Sequence, residues 1–531
     1  MKKEITYRIM VMKRFSKTFY RASAFTFLLL FITSCEKEFL DRPPEDAYSL
    51  DEFYSSEAQV NASTNILYNA PWFQFANTPM WAIGELSSGN ARTWDDNSAD
   101  FMKFTVTNRK NHLANGWSSL WSVVAQANAV INFLPDRVDA SVSQPVIDNA
   151  IGEAKFMRAM AYFYLVRIWG PVPIIENNLD YVYNPQINTN PVDDIYTFME
   201  NDLMFAIDNC YSKNRGSNYS DNGHISSGSA KALLAKIYLY QRDYSQARAY
   251  AEEVINSGEF KLFGLEVPGS YNDLFDTKNN NNEESIAAIQ WSNTGEYGQG
   301  NPLQAMFAFT TALTGTGDGW GAVSPSIDLT QSYEDGDLRR YGTIMEEGNE
   351  YPNLNGGYVV PENPGTQGTN VAIKKYVVGK PEYNGGGSSQ NAANNTYLLR
   401  YADLLLIHAE AIMAGAESTT DGAALASVNK VRERAGLEPL EVLTKEQLLH
   451  ERRVELAFEG EYFYDLGRLD RSEAIAIISA QERGTYSNDD PPVIYSENFT
   501  PSADDFTFAY PPVEVQKNPL LEADPVPYNF N

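Results

Sequence analysis

Between Tyr397 and Asp470 three helical patterns follow one another almost without interruption, and any fold for this chain has to accommodate them. From Tyr397 to Gly415 the apolar residues Leu398, Tyr401, Leu405, Ala409 and Ile412 recur at helical spacing, and Gly415 stands where such a helix would stop. A second helix is predicted from Asp421 to Ala435 through Ala424, Val428 and Val431, closed by Gly436. A third runs from Lys445 to Gly460 behind Thr444 as its cap. That third pattern is unusual. From Glu451 to Glu459 charged residues alternate with core-type residues instead of keeping to one face, and Arg452 and Glu455, three apart, are placed to pair on the helix surface.

Upstream the same periodicity predicts helices over Asp51–Asn69, Trp117–Leu134, Gln144–Trp169 and Val192–Cys210. A helical hairpin is predicted over Gly228–Ser257, turning at Arg242 and Asp243, with Leu234, Ala235, Tyr238 and Ala247 at the offsets of a tetratricopeptide unit of roughly 34 residues. Small residues at Ala235 and Ala247 let two such helices approach closely. The pair from Tyr397 to Ala435 has the same plan with a longer turn. The region from Phe260 to Asn395 breaks the rhythm with Gly, Asn, Pro and Ser, and holds short strand patterns at Ser285–Trp291 and Ile373–Val377. The expected fold is therefore mainly α: about four tetratricopeptide-like helix pairs in residues 51–257 and 397–436, a loop-rich insertion at about 260–395, and an irregular, proline-rich tail at 490–531, all in one domain over 51–531.

The N-terminus reads as an address. Lys13, Arg14, Lys17 and Arg21 precede the apolar run Ala24–Ile32, and Ile32, Thr33, Ser34 and Cys35 form a bacterial lipobox. The apolar run is too short for a spanning helix, which needs roughly 20 residues. Residues 1–34 are thus expected to be a lipoprotein signal peptide, beginning at Met1 or Met12, with Cys35 lipidated and 35–50 a tether containing Pro43 and Pro44. Cys210 is the one other cysteine, so no internal disulfide framework is expected and a buried helix position is its default. A net charge of -28 would repel a polyphosphate, which argues against nucleic acid as a partner.

Several blocks carry a family resemblance. LLRYADLLLIHAEA, VNKVRERAGL and ERRVELAFEGEYFYDLGRLDR in the C-terminal part, AKFMRAMAYFYLVRIWGPVPII at Ala154–Ile175, CEKEFLDRPP after the lipobox and Tyr510-Pro511-Pro512 near the end resemble the SusD/RagB family of lipid-anchored, outer-membrane nutrient-binding proteins. The resemblance implies a protein facing the cell exterior, held at the outer membrane by its lipid, that captures an oligosaccharide and passes it to a TonB-dependent SusC-like barrel. It also leaves open a peptide ligand, as in RagB-like members.

Catalytic patterns are sparse. His112, His224, His408 and His450 are scattered, and neither a zinc spacing, a GxSxG elbow nor a Walker loop occurs. The glycine run Gly315, Gly317, Gly319 and Gly321 reads as a flexible loop presenting Trp320. A glycosidase would need two carboxylates about 5 to 9.5 Å apart across a cleft. Glu455, Glu459 and Asp465 are available, but their neighbours Arg452, Arg453 and Arg468 make structural ion pairs the expected role, so an enzyme is not expected. No cofactor is expected either. Two loops, Asp95–Asp100 and Asp276–Glu284, are rich in oxygen ligands of the type calcium takes, without an EF-hand spacing.

A sugar site asks for exposed aromatic platforms with a few amide, carboxylate or guanidinium partners, because a glycan offers apolar CH faces and a rim of hydroxyls. The loops contain three such clusters: Trp94 with Arg92, Asp96 and Asn97; Trp291 and Tyr297 around Asn293 and Glu296; and Trp320 beside Asp318. Trp72 and Trp81 stand in the loop after the first helix, where the resemblance also draws binding aromatics. For each tryptophan, burial in the core is the competing fate. The candidate ligand-binding set is Trp94, Trp320, Arg92, Asn97, Trp291, Tyr297 and Trp81.

Overall fold

The computed structural model describes residues 54–213, 223–384 and 388–530. The signal segment, Cys35 and the tether lie outside the described residues. Nine helices carry the frame: α1 (Glu57–Ser63), α2 (Asn111–Arg137), α3 (Gln144–Trp169), α4 (Val192–Asn209), α5 (Ser227–Tyr240), α6 (Tyr244–Ser257), α7 (Tyr401–Met413), α8 (Gly422–Arg434) and α9 (Lys445–Leu456). From α2 to α8 each packs on the next in sequence, as stacked helical hairpins do, and α1 leans on α3. The expected helical class is the one observed.

Local chemistry explains the boundaries. Helix α3 opens with Pro145 in its first turn and stops at Gly170, whose φ of +74° turns the chain away before Pro171. The α5–α6 turn is made by Arg242 at φ +62°, and the Asp243 side chain accepts the Gln246 N–H at 3.1 Å. Helix α8 is capped by Asp421, which accepts the Ala423 N–H at 2.8 Å. Thr444 and Gln447 form a reciprocal capping box at the start of α9. Ala235, Ala247 and Ala251 are fully buried, so α5 and α6 meet through small side chains. The predicted first helix is shorter than expected, because after Ser63 the chain tightens into a 3-10 turn over Asn65–Tyr68.

Strands are short. They include β1 (Ala91–Arg92), β2 (Ser285–Ile289), β3 (Ser324–Pro325), β4 (Ala372–Ile373) and β5 (Thr396–Arg400). Here the structure corrects the helix predicted from Tyr397. Residues 397–400 belong to β5, which pairs antiparallel with β2, and α7 begins only at Tyr401. Both strands are buried on both faces, so the apolar cores 286–289 and 397–399 show no alternation and periodicity alone cannot tell them from a helix start. The strand predicted over Ile373–Val377 ends at Ile373, and Tyr376 takes φ +65°, which no strand continues through.

The alternating charges of α9 are buried rather than displayed. Arg452 donates to Asp403 of α7 at 2.8 Å and to Asp465 at 2.9 Å. Glu455 faces the other way, accepting from Arg400 of β5, Arg434 of α8 and Arg339. The expected Arg452–Glu455 surface pair is therefore not made; each reaches a different neighbouring element. Glu459 takes Arg400 Nε at 2.7 Å and Lys375 Nζ at 2.9 Å, and Glu284 takes Arg400 and Arg434 at 2.7 Å each. Burial alone would raise Glu455, but Arg434, Arg400 and Arg339 outweigh it and hold the carboxyl well below the usual carboxylate range. Cys210 closes α4 in a buried position, where burial and then Glu153 push its thiol up.

Candidate functional site

The two-stranded ladder β1–β3 brings the site together. Its antiparallel register sets Arg92 opposite Ser324 and Ala91 opposite Pro325. Trp94 follows the end of β1 and Trp320 precedes the start of β3, so both tryptophans leave the ladder at the same end. The Thr93 hydroxyl continues the pairing by donating to Ala322 O at 2.7 Å. Of the eight tryptophans, Trp94 at 57% and Trp320 at 48% are the two exposed ones. Both line a single cleft of about 840 Å³, together with Trp81, Asn97, Met306, Gln367, Arg109 and His112.

One side chain adds a bridge between the two tryptophan loops. Gln367 Oε1 accepts the Trp94 backbone N–H at 2.7 Å, and Gln367 Nε2 donates to Gly321 O at 2.6 Å, next to Trp320. The neighbouring Gly368 has φ +77°, and a Cβ there would meet the Trp94 ring at 2.8 Å, so the ring lies directly against bare backbone. Trp320 itself donates its N–H to Ala305 O at 2.9 Å and Gly321 donates to Ala308 O at 2.8 Å. The loop predicted to be flexible is thus tied to the short helix Leu303–Phe307 and the residue after it. Asp318, expected beside the platform, is buried and accepts Thr316 Oγ1 at 2.6 Å and the Gln390 N–H at 2.8 Å.

The other expected residues divide. Asn97 lies on the cleft rim and donates its side-chain amide to Asp95 at 3.1 Å. Trp81 is 3% exposed; it forms part of the cleft floor, with its indole N–H donating to Asn77 O at 2.8 Å. Arg92 is buried, not at the rim: its guanidinium carbon lies 5.6 Å from the Trp94 ring centroid and its Nη1 pairs with Glu497 at 3.1 Å, so it backs the Trp94 ring. Trp291 is buried outside the cleft, with its indole N–H donating to Thr396 Oγ1 at 2.9 Å. Tyr297 is exposed but stands against Phe73, 4.9 Å between centroids, apart from the residues that line the cleft. Trp72 is a core residue.

Sequence reasoning missed Gln367, Met306, Arg109 and His112. Gln367 sits in a Gly-Thr-Gln-Gly loop with no periodicity to mark it, and His112 has no metal-type spacing to single it out. His112 accepts or donates to Ser98 Oγ at 3.2 Å; burial and then Lys110 push its imidazole below the ordinary value, favouring a neutral ring at the cleft wall. Arg109 is exposed and forms no ion pair among the described residues, so its donors are available to hydroxyls.

The acids considered for catalysis are all elsewhere. Glu455 and Glu459 are sealed in the arginine network and Asp465 is held by Arg452 and Arg468. In the first calcium-type loop Asp95 is occupied by Asn97 and Ser98, and Asp100 pairs with Lys110 at 2.8 Å. In the second, Glu284 turns inward to Arg400 and Arg434. Among the described residues no group of three or more His, Cys, Asp or Glu side chains is placed to hold a metal. Nor, among them, is any helix long and apolar enough to cross a membrane.

Comparison with known proteins places this arrangement in a lineage. The family model described as the SusD family matches residues 283–526, and one described as starch-binding, associating with the outer membrane, matches residues 38–239. A SusD-like protein of Bacteroides ovatus is 36% identical, with 94% of this chain and 97% of that protein aligned. A crystal structure with xylogluco-oligosaccharide is 35% identical, with a TM-score of 0.80 over 89% of this chain and 99% of that one. A laminarin-binding SusD-like protein is 25% identical, with a TM-score of 0.68 over 88% and 98%. With whole-length identity at that level and two family models covering most of the sequence, the chain belongs to the SusD/RagB family.

Proposed function

We propose that the protein is a cell-surface lipoprotein, anchored through Cys35 at the outer membrane, that binds an oligosaccharide on Trp94 and Trp320 and delivers it to a TonB-dependent SusC-like transporter without chemistry on the ligand. The observation that carries the reading is the convergence of the two exposed tryptophans on one cleft, tied together through Gln367. Two indole faces give a sugar chain apolar platforms, while Asn97, Arg109 and His112 offer the polar partners that its hydroxyls require. The cleft's volume lies within the range of roughly 300–1,000 Å³ typical of small-molecule sites.

Support for a glycan over a peptide comes from the relatives, one solved with xylogluco-oligosaccharide and another described as laminarin-binding. The binding role fits the burial of Glu455, Glu459 and Asp465 in ion pairs, which leaves them no path to a substrate. Calorimetric titration of the purified protein with xylogluco-oligosaccharide, laminari-oligosaccharide and a mixed peptide pool tests the reading. Saturable glycan binding, weakened in Trp94→Ala and in Trp320→Ala and lost when both are combined, is expected. Binding confined to the peptide pool would move the protein to the RagB-like mode, and release of new reducing ends from the glycan would contradict a purely binding role.

A further inference from the structure

We propose that a second pocket, separate from the tryptophan cleft, binds the carboxylate of an acidic sugar on Lys374. Three lysines are buried among the described residues. Lys236 pairs with Asp403 and Glu461 at 2.8 Å each, and Lys375 pairs with Glu459 at 2.9 Å. Lys374, 3% exposed, has no carboxylate within 4.0 Å; its ammonium makes one hydrogen bond, to Val377 O at 3.2 Å. Its other neighbours are the Tyr351 ring, 5.6 Å from Nζ to the centroid, and Asp276 and Asp273 beyond salt-bridge reach; burial outweighs the two acids and pushes the amine below its ordinary value, so two of the three donors of an ammonium are left for an anion that would restore its charge.

The place where it does so is a pocket. Lys374 lines a cavity of about 440 Å³ between the turn Thr277–Asn279 and the bend after the strand Glu350–Tyr351, and none of its lining residues belongs to the tryptophan cleft. Its contents fit an acidic sugar. Lys278 adds a second cation, Asp276 and Asn353 offer partners for hydroxyls, and Tyr383, 53% exposed at the mouth, presents a ring face. Lys278 Nζ lies 3.7 Å from Asp276 and is balanced by it, so Lys374 is the lining amine that a carboxylate guest would neutralise. The bound carboxylate would accept charge-assisted hydrogen bonds from Lys374, whose one bond otherwise goes to Val377 O.

The proposal does not depend on the reading of the tryptophan cleft, and its test separates the two. Titrating the full chain with glucuronate, with glucose and with acetate should give saturable binding of glucuronate and at least about tenfold weaker binding of the other two. Lys374→Met should abolish the glucuronate signal, and Asn353→Asp, on an exposed bend where folding is not at stake, should weaken it about fivefold through like-charge repulsion. Trp94→Ala and Trp320→Ala should leave it unchanged. Equal binding of glucose would remove the role of the carboxylate, equal binding of acetate would remove the sugar, and glucuronate affinity indifferent to Asn353→Asp would place the site elsewhere; each result overturns the proposal.

Discussion

Trp94 and Trp291 are the same side chain in opposite surroundings, and truncation should separate them. Trp94 lies in the cleft, so Trp94→Ala should cost about tenfold in glycan affinity, ~1.4 kcal/mol, and leave the melting temperature nearly unchanged. Trp320→Ala should behave alike. Trp291 is buried against Phe73 and bonded to Thr396, so Trp291→Ala should destabilise the fold by about 3–5 kcal/mol, with affinity retained in the fraction that folds. Paired melting curves and titrations check all three, and a Trp291→Ala protein that melts normally but no longer binds would reverse the assignment. Gln367 offers a subtler case. It touches both platform loops through its amide, so Gln367→Leu, which keeps the volume and removes both bonds, should weaken binding although its polar atoms are already engaged by backbone. Titration of that variant at wild-type affinity would mean that the two rings hold their places without it.

At the scale of elements, the fold hangs on the charges that α9 exchanges with α7, α8 and β5. Removing one partner of a buried pair costs about 3–5 kcal/mol because the other charge is stranded, so Glu455→Gln should lower stability sharply in chemical denaturation. The pH dependence follows from the same carboxyls. Glu455, Glu459 and Asp403 are held below their ordinary values in the folded protein, so their contribution is complete above about pH 4.4 and drains away as the pH falls toward the folded values. Melting temperature should therefore drop steeply as the pH falls from about 4.4 to about 3, and less steeply in Glu455→Gln; an unchanged profile would argue against the network. These elements also show what the sequence made legible. The caps at Thr444, Asp421 and Gly170 are local chemistry, and they marked α9, α8 and the end of α3 directly. Strand β5 was read as helix because a doubly buried strand has no alternation to betray it. Trp94 and Trp320 were recognisable as candidates from their loops, whereas Gln367 was not: its importance comes from a bond bridging residues 273 positions apart in the chain.

At the scale of the molecule, the helical stack is a frame that carries two ring-bearing loops, and the proposed function assigns the membrane contact to a lipid on Cys35. Replacing Cys35 by Ala should shift the protein from the membrane to the soluble fraction without altering glycan affinity in titration; retention at the membrane would contradict anchorage at that residue. Under the proposed function the cleft grips through indole faces and hydroxyl partners rather than net charge, so affinity for a neutral glycan should change little with salt. The most direct measurement is calorimetric titration of xylogluco-oligosaccharide into the wild type and the Trp94→Ala, Trp320→Ala double variant side by side, with melting curves on both. The account predicts saturable binding to the wild type and none detectable to a double variant that melts at the same temperature; wild-type affinity in that double variant would contradict it.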